Sequence, residues 1–420
     1  MGFAVATFLL ALALIASERL HRTKIALVGA ALMVLFVNGY DQEAATEAVD
    51  FNTIGLLAGM MILVYLTQQT GAYDYIAIRA GQLSKGRPFL IVLYMAGTTA
   101  VLSAFLDNLT TILLVVPITF LLADALDIDP IPLIVIEVIA SNIGGTATLI
   151  GDPPNIIIAG ATGLSFNEFM INLVPIVLPT FAIVVTGLYF YYRSRLQTEP
   201  RARELVMDLD AKASIRDWDE LRRTVPVLVA TVVAFFFHQA LHIEPATVAL
   251  TGASVGLLVT RIDLEQALSK IEWPTLFFFV ALFVMVGALQ HTGAVGEVTE
   301  EVKSVTDGNR SAELLGIVWI SGFGSAVVDN IPFTTAMIPV VSELRGPEGD
   351  DAYWWALSLG ACFGGNATII AAAANVAAAG LTQRAGMPIR FLEFMKIGIP
   401  VTVVSLLLAS AYVAIRYIAL

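Results

Sequence analysis

The stretch SNIGGTATLI at residues 141–150, followed by Asn155, recurs as ACFGGNATII at residues 361–370, followed by Asn375. Both copies share one offset of 220 residues. Paired glycines and amide or hydroxyl side chains inside apolar runs are typical of membrane helices that unwind where backbone groups face a solute. Two such breaks predict a membrane transporter.

The composition indicates the same class of protein. Of 420 residues 57% are hydrophobic and 14% are charged, and the mean hydropathy is +0.81, whereas soluble domains carry about a quarter charged residues. We therefore expect an all-α integral membrane protein without a separate soluble domain. The net charge of −12 belongs to loops, so it indicates no nucleic-acid partner. The single cysteine, Cys362, excludes an intramolecular disulfide framework.

Apolar runs long enough to cross a bilayer form two sets of five. The first set lies near residues 2–17, 25–40, 51–70, 131–162 and 168–192, and the second near residues 225–242, 245–260, 273–291, 353–379 and 396–418. This spacing predicts a first repeat over residues 1–195, a charged cytoplasmic linker over 196–222 and a second repeat over 223–420.

Between the third and fourth runs of each set lies a segment that is apolar, then polar, then apolar again. In the first set, DNLTT at 107–111 separates residues 89–106 from 112–126, and in the second set, residues 311–342 carry Asp329-Asn330 at an offset of 222. This pattern predicts a helical hairpin that enters the membrane only partway. The alternative is two full spans joined by an ordinary surface turn.

The number of crossings per repeat predicts the orientation of the two copies. Five spans plus a hairpin give an odd number, so the second copy is expected to be inverted. With both termini outside, the predicted cytoplasmic segments hold 19 of the 23 Lys and Arg residues, in agreement with the positive-inside rule. Both hairpin tips are then expected near the midplane of the cytoplasmic membrane.

Carboxylates inside a membrane are candidate functional groups, because an uncompensated charge is costly there. Loss of water contact favours the neutral form of a carboxyl group, which suits a proton-coupled carrier. The alternatives are helix caps for the aspartates and an interhelical hydrogen bond for the glutamate. Two of the four, Glu137 and Asp152, have no acidic counterpart in the second copy, which predicts unequal coupling. The four residues are Asp107, Glu137, Asp152 and Asp329.

Four motifs carry a resemblance to a known family: EVIASNIGGTATLIGDPPNIII, DNLTTILLVVPI, DNIPFTTAMIPV and LGACFGGNATIIAAAANV. The chain resembles the ArsB/NhaD branch of the ion transporter superfamily, which includes arsenite efflux permeases, NhaD-type sodium/proton antiporters and the melanosomal P protein. The resemblance implies two inverted repeats of five transmembrane helices plus one re-entrant hairpin each, a scaffold that often forms a homodimer, and an elevator motion of the site. For an arsenic pump it also implies a soluble ATPase subunit.

The resemblance further implies which residues line the solute site. In the first copy they are Asn108, Thr110, Thr111, Asn142, Gly144, Gly145, Thr146, Thr148 and Asn155. In the second copy they are Asn330, Thr334, Thr335, Gly364, Gly365, Asn366, Thr368 and Asn375. Related dicarboxylate carriers have Ser-Asn-Thr at the hairpin tips, whereas this chain has aspartate in the first position. This difference argues against a di- or tri-anionic substrate.

These residues favour proton-coupled export of arsenite or antimonite, because a neutral hydroxide suits amide and hydroxyl groups. Sodium/proton antiport is the next alternative, followed by anion transport and a channel. An intramembrane enzyme is disfavoured, because the sequence has neither H-E-x-x-H nor G-x-S-x-G. His238 and His242 share a helical face but lie where the apolar run ends. We expect no cofactor and no resident metal.

Overall fold

The computed structural model of this chain describes residues 1–17, 19–198, 206–347 and 349–419, and every regular element within these ranges is helical. The first half contains α1 (Gly2–Ala16), α2 (Arg22–Phe36), α3 (Gln42–Glu47), α4 (Phe51–Gln69), α5 (Ala72–Leu83), α6 (Pro88–Phe105), α7 (Asn108–Leu126), α8 (Pro130–Gly145), α9 (Pro153–Thr162) and α10 (Phe166–Tyr192). The second half contains α11 (Trp218–Phe237), α12 (Pro245–Val259), α13 (Leu264–Ser269), α14 (Trp273–His291), α15 (Ala294–Thr306), α16 (Arg310–Val327), α17 (Asn330–Arg345), α18 (Ala352–Gly364), α19 (Ala373–Arg384) and α20 (Phe391–Val413).

The order of helices is the same in the two halves. The six-residue helices α3 and α13 begin at Gln42 and Leu264, 222 residues apart. Gly71 and Gly293 precede α5 and α15 with φ of 80° and 76°, a left-handed conformation that glycine adopts without steric cost. The duplication seen in the motifs therefore extends to the local backbone.

The two halves pack through reciprocal pairs of helices. Helix α4 packs on α12 while α14 packs on α2, and α7 packs on α19 while α17 packs on α9. Two equivalent halves related by a two-fold axis make contacts in such matching pairs. Each hairpin thus contacts the half-helix that follows the break in the other half.

Both glycine pairs end a helix, as the sequence predicts. The run 131–162 is divided, because α8 ends at Gly145 and α9 begins at Pro153. The run 353–379 is divided at Gly364, and α19 begins only at Ala373. Glycine propagates a helix poorly, and proline is favoured at the first helical position.

Within the described ranges, six helices are long and apolar enough to cross a membrane by length and composition. They are α4, α6, α7, α10, α14 and the segment Phe391–Ile418. Helices α6 and α7 are the arms of the first predicted hairpin, and the turn between them lies at residues 106–107, as expected. Partial entry of the hairpins into the membrane stays a prediction.

Two predicted boundaries change because of capping residues. Helix α2 begins at Arg22 and not near residue 25, because the His21 side chain accepts a hydrogen bond from the Thr23 N–H. Helix α11 begins at Trp218, since the Asp217 carboxylate accepts from the N–H groups of residues 219 and 220. The end of the predicted linker is therefore helical, and residues 199–205 of that linker lie outside the described ranges.

Candidate functional site

Each hairpin tip is a short turn capped by an aspartate. At the start of α7, Asp107 Oδ1 accepts from the Thr110 N–H at 2.8 Å, and its Oδ2 accepts from the Thr110 hydroxyl at 2.5 Å. At the start of α17, Asp329 Oδ1 accepts from the Ile331 N–H at 3.0 Å. Both aspartates therefore cap a helix, which is the alternative role expected from the sequence. Each cap holds the following asparagine, Asn108 or Asn330, at the tip.

An asparagine stabilises each unwound segment. Asn155 Nδ2 donates to the carbonyl oxygens of Thr146 and Thr148 at 3.0 and 2.8 Å. In the second half, Asn375 Nδ2 donates to the carbonyl oxygens of residues 365 and 368, each at 2.7 Å. These bonds satisfy carbonyl groups that the break leaves without a helical partner.

Hydroxyl groups tie each break to its own hairpin in the same way in both halves. The Ser103 hydroxyl donates to the carbonyl oxygen of residue 141 at 2.8 Å, and the Ser325 hydroxyl donates to that of residue 361 at 2.7 Å. Thr148 donates to the carbonyl oxygen of residue 104, and Thr368 donates to that of residue 326. The duplicated sequence therefore builds a duplicated hydrogen-bond pattern.

Buried amides connect the two halves directly. Asn142 Nδ2 donates to Asn366 Oδ1 and to Asn375 Oδ1, each at 3.0 Å. Its own Oδ1 accepts from Asn108 Nδ2 at 3.2 Å. All four side chains are buried. They form one uncharged polar cluster between the two breaks, which we call the amide cluster.

Asp152 lies where the two hairpin tips converge. Its Oδ1 accepts from Asn108 Nδ2 at 3.1 Å and from Asn330 Nδ2 at 3.2 Å. The residue is 0% exposed, and it occupies the cap position of α9 without making a capping hydrogen bond. The buried Cys362 thiol lies near its carboxylate, and Asp107 and Asp329 are close enough for their charges to act on it. The structure thus brings together one carboxylate from a break and the tips of both hairpins.

Three buried polar atoms of this region have no hydrogen-bond partner among the described residues: Asp152 Oδ2, Asn366 Nδ2 and Thr111 Oγ1. Buried polar groups are almost always paired, so unpaired atoms in a native site require an explanation. One acceptor, one donor and one hydroxyl left unpaired in this region form a set suited to a small polar solute.

Other predicted residues make contacts outside the amide cluster. Glu137 is fully buried, and its two carboxyl oxygens lie 2.7 and 2.8 Å from Thr119 Oγ1, which is the interhelical hydrogen bond expected as its alternative role. The hydroxyls of Thr146, Thr334 and Thr335 donate to carbonyl oxygens of their own helices at 2.7–2.9 Å. Direct contact of these residues with a solute stays a prediction.

The predicted glycines permit close approach of backbones. A Cβ atom on Gly144 would lie 2.3 Å from the carbonyl oxygen of residue 100, and one on Gly364 would lie 2.4 Å from that of residue 322. A Cβ atom on Gly145 would lie 2.5 Å from the carbonyl oxygen of residue 151, and one on Gly365 would lie 3.1 Å from that of residue 362. At the first position of each pair, a side chain would therefore overlap the neighbouring backbone, so this position requires glycine for steric reasons as well as for ending the helix.

A cavity of about 460 Å³ opens beside the tip of the second hairpin, where His21, Arg22, Leu109 and Asp329 line it. Beside the first hairpin tip, a cavity of about 20 Å³ reaches Asp107, and another of about 280 Å³ is lined by Thr110, Lys270 and Glu272. The aspartate of the second tip therefore faces a much larger space than the aspartate of the first tip. Sequence reasoning missed Arg22, because a cation in a predicted loop beside a membrane helix carries no signal of a distant partner.

Glu272, which precedes α14, adds a further charge near this region. Burial raises the pKa of Glu272, and the nearby Asp107 carboxylate adds to the rise, whereas the Thr275 hydroxyl and Arg22 oppose it. The region between the hairpins is thus rich in carboxylates, and Arg22 is a cation among them.

A family model described as a citrate transporter matches residues 12–360. The chain belongs to the citrate transporter family. An uncharacterized transporter of Mycobacterium tuberculosis is 42% identical over 424 residues, covering 99% of each chain. The P protein of Sus scrofa is 35% identical over 491 residues, covering 96% of this chain and 58% of that protein. Similarity to the P protein is thus confirmed, whereas membership of the ArsB/NhaD branch stays a prediction.

Among solved structures, this citrate transporter family member resembles the YdaH transporter of Alcanivorax borkumensis. The TM-score is 0.59 at 12% sequence identity, and the match covers 98% of this chain and 97% of that chain. A likeness at this identity supports the fold. Together with the relatives, it identifies the chain as a multi-span membrane transporter.

Proposed function

We propose that this protein is a secondary transporter that exports arsenite or antimonite in exchange for protons. The observation that supports it is the surroundings of Asp152. Amides from both hairpin tips donate to one of its oxygens, and the other oxygen is unpaired, as is Nδ2 of Asn366 in the amide cluster. A carboxylate with one unpaired oxygen, held by uncharged amides, suits a neutral solute and a proton better than a multiply charged anion.

Competition between arsenite and a proton for the Asp152 carboxylate explains how arsenite export is coupled to proton entry. Near neutral pH arsenite is an uncharged hydroxide, and its O–H groups can donate to the ionised carboxylate and accept from the Asn366 amide. A protonated carboxyl group offers a donor where the solute needs an acceptor. The site therefore holds either the solute or the proton, which is the requirement for antiport.

The orientation and motion belong to the same proposal. The reciprocal packing of the two halves supports inverted repeats. The cytoplasmic membrane, both termini outside and hairpins that enter partway are further parts of the proposal. In that orientation the cavity beside Arg22 opens toward the cytoplasm, where an exporter loads its solute. An elevator motion of the site, a homodimeric scaffold and a soluble ATPase partner are further parts of the proposal.

The test is a paired transport assay on the purified protein in liposomes with an acidic interior. Outward proton flow is expected to drive arsenite uptake above the level of protein-free liposomes, and a protonophore is expected to abolish it. Arsenite, sodium and citrate are offered separately. Gradient-driven sodium uptake without arsenite uptake would assign sodium/proton antiport instead.

Citrate is included because of the family description. The matching family model is named for citrate, and citrate is a multiply charged anion. Three carboxylates around the amide cluster oppose such a substrate, and Arg22, the cation at the second hairpin tip, already pairs with Asp329. Saturable citrate uptake that excludes arsenite would overturn the proposal.

A further inference from the structure

An ion pair crosses from the first half of the chain to the second hairpin. Arg22 Nη1 lies 2.6 Å from Asp329 Oδ2, and the two side chains are 25% and 9% exposed. The guanidinium carbon also lies 5.1 Å from the centre of the Phe278 ring. The arginine is therefore held from two sides at the wall of the cavity that reaches the hairpin tip.

The equivalent carboxylate of the first hairpin has no such partner. Asp107 forms no ion pair with any described residue, and its hydrogen bonds go to Thr110. The position 222 residues after Arg22 is Glu244, an acidic residue that bonds Asn52. The arginine is thus a feature of one half alone, and it stands on the side with the larger cavity.

We infer that Arg22 is a specificity-determining residue that excludes cations, because it occupies Asp329 as a fixed ion pair at the entrance to the site. An unpaired, largely buried carboxylate in that cavity would attract a small cation. The pair removes this attraction at Asp329, the carboxylate that lines the larger cavity, and leaves the amide cluster open to neutral solutes. The inference rests on the proposed function and names how that site selects against sodium.

The test compares wild type with Arg22→Gln, Asp329→Asn and the double variant R22Q/D329N. Asparagine preserves the cap of α17, because it is a good capping residue. Two readouts are used: inhibition of arsenite uptake by sodium chloride, and thermal stabilisation of the purified protein by sodium chloride, each against choline chloride at equal ionic strength. The second readout needs no transport activity.

In R22Q, the sodium concentration that gives half-maximal inhibition or stabilisation is expected to fall by about tenfold or more. A partly buried carboxylate that loses its cationic partner, here Asp329, produces an effect of this size. The double variant is expected to return to the wild-type response. Arg22→Lys keeps the charge, and its sodium response is expected to match that of wild type. Detection of a monodisperse protein by size-exclusion chromatography verifies that each variant is folded.

Two results would overturn the inference: an R22Q variant with the sodium response of wild type, or a double variant that keeps the response of R22Q. The second result would place the new cation affinity somewhere other than Asp329. If wild type fails to transport arsenite, the proposed function fails, but the sodium-dependent stabilisation still decides the role of Arg22.

Discussion

At the scale of single residues, Asp152 differs from the other three candidate carboxylates in having an oxygen without an N–H or O–H partner among the described residues. Asp107 and Asp329 cap helices, and Glu137 bonds a threonine. We expect Asp152→Asn to reduce proton-driven arsenite uptake to the level of protein-free liposomes. Asparagine still accepts from both hairpin amides, but it cannot take up a proton. Initial uptake rates into liposomes with an acidic interior measure the effect.

Glu137→Gln is the matched control for that prediction. Glu137 is as fully buried as Asp152, but its hydrogen bonds go to Thr119 on α7. Glutamine keeps an acceptor for that hydroxyl, so most of the uptake is expected to remain. Loss of uptake in E137Q together with retention in D152N would transfer the coupling role to Glu137.

At the scale of helices, sequence reasoning recovered the elements whose signal is local. Glycine pairs ended α8 and α18, and Asp-Asn turns marked both hairpin tips, because helix propensity and capping act within a few residues. The short helices α3 and α13 were not predicted, since six residues are too few to show an apolar period. The Arg22–Asp329 pair joins residues 307 apart in sequence, and no local pattern marks it.

The close approach of each hairpin to its break gives a second prediction, on stability. We expect Gly144→Ala and Gly364→Ala to lower the free energy of unfolding by about 1–3 kcal/mol, since the added methyl group would overlap a backbone carbonyl of α6 or α16. Gly97→Ala and Gly316→Ala on the same hairpin arms are the controls. Nothing lies within 4 Å of a Cβ at those two positions, so they are expected to be neutral or slightly stabilising. Thermal or denaturant unfolding of the purified protein measures the difference, and equal effects at all four positions would contradict it.

At the scale of the whole molecule, the site exists only where the two halves meet. Asn142 of the first half bonds Asn366 and Asn375 of the second, and Asp152 accepts from the tips of both hairpins. The duplicated motifs predicted two equivalent units, but they could not give the pairing between them. That pairing depends on side chains more than 170 residues apart in sequence, whose partners are set by the packing of α7 on α19 and of α17 on α9.

The orientation of the two halves can be tested at one pair of equivalent positions. Gln42 and Leu264 begin the matching helices α3 and α13, and both are exposed. Cysteines placed there, in a chain whose buried Cys362 is changed to alanine, are expected on opposite sides of the membrane if the repeats are inverted. A membrane-impermeant maleimide should label Q42C in intact cells and L264C only after permeabilisation. The reverse pattern would keep the inversion but place both termini inside the cell. Labelling of both positions in intact cells would require two parallel copies. Parallel copies cannot bring both hairpin tips to Asp152 from opposite sides of the membrane.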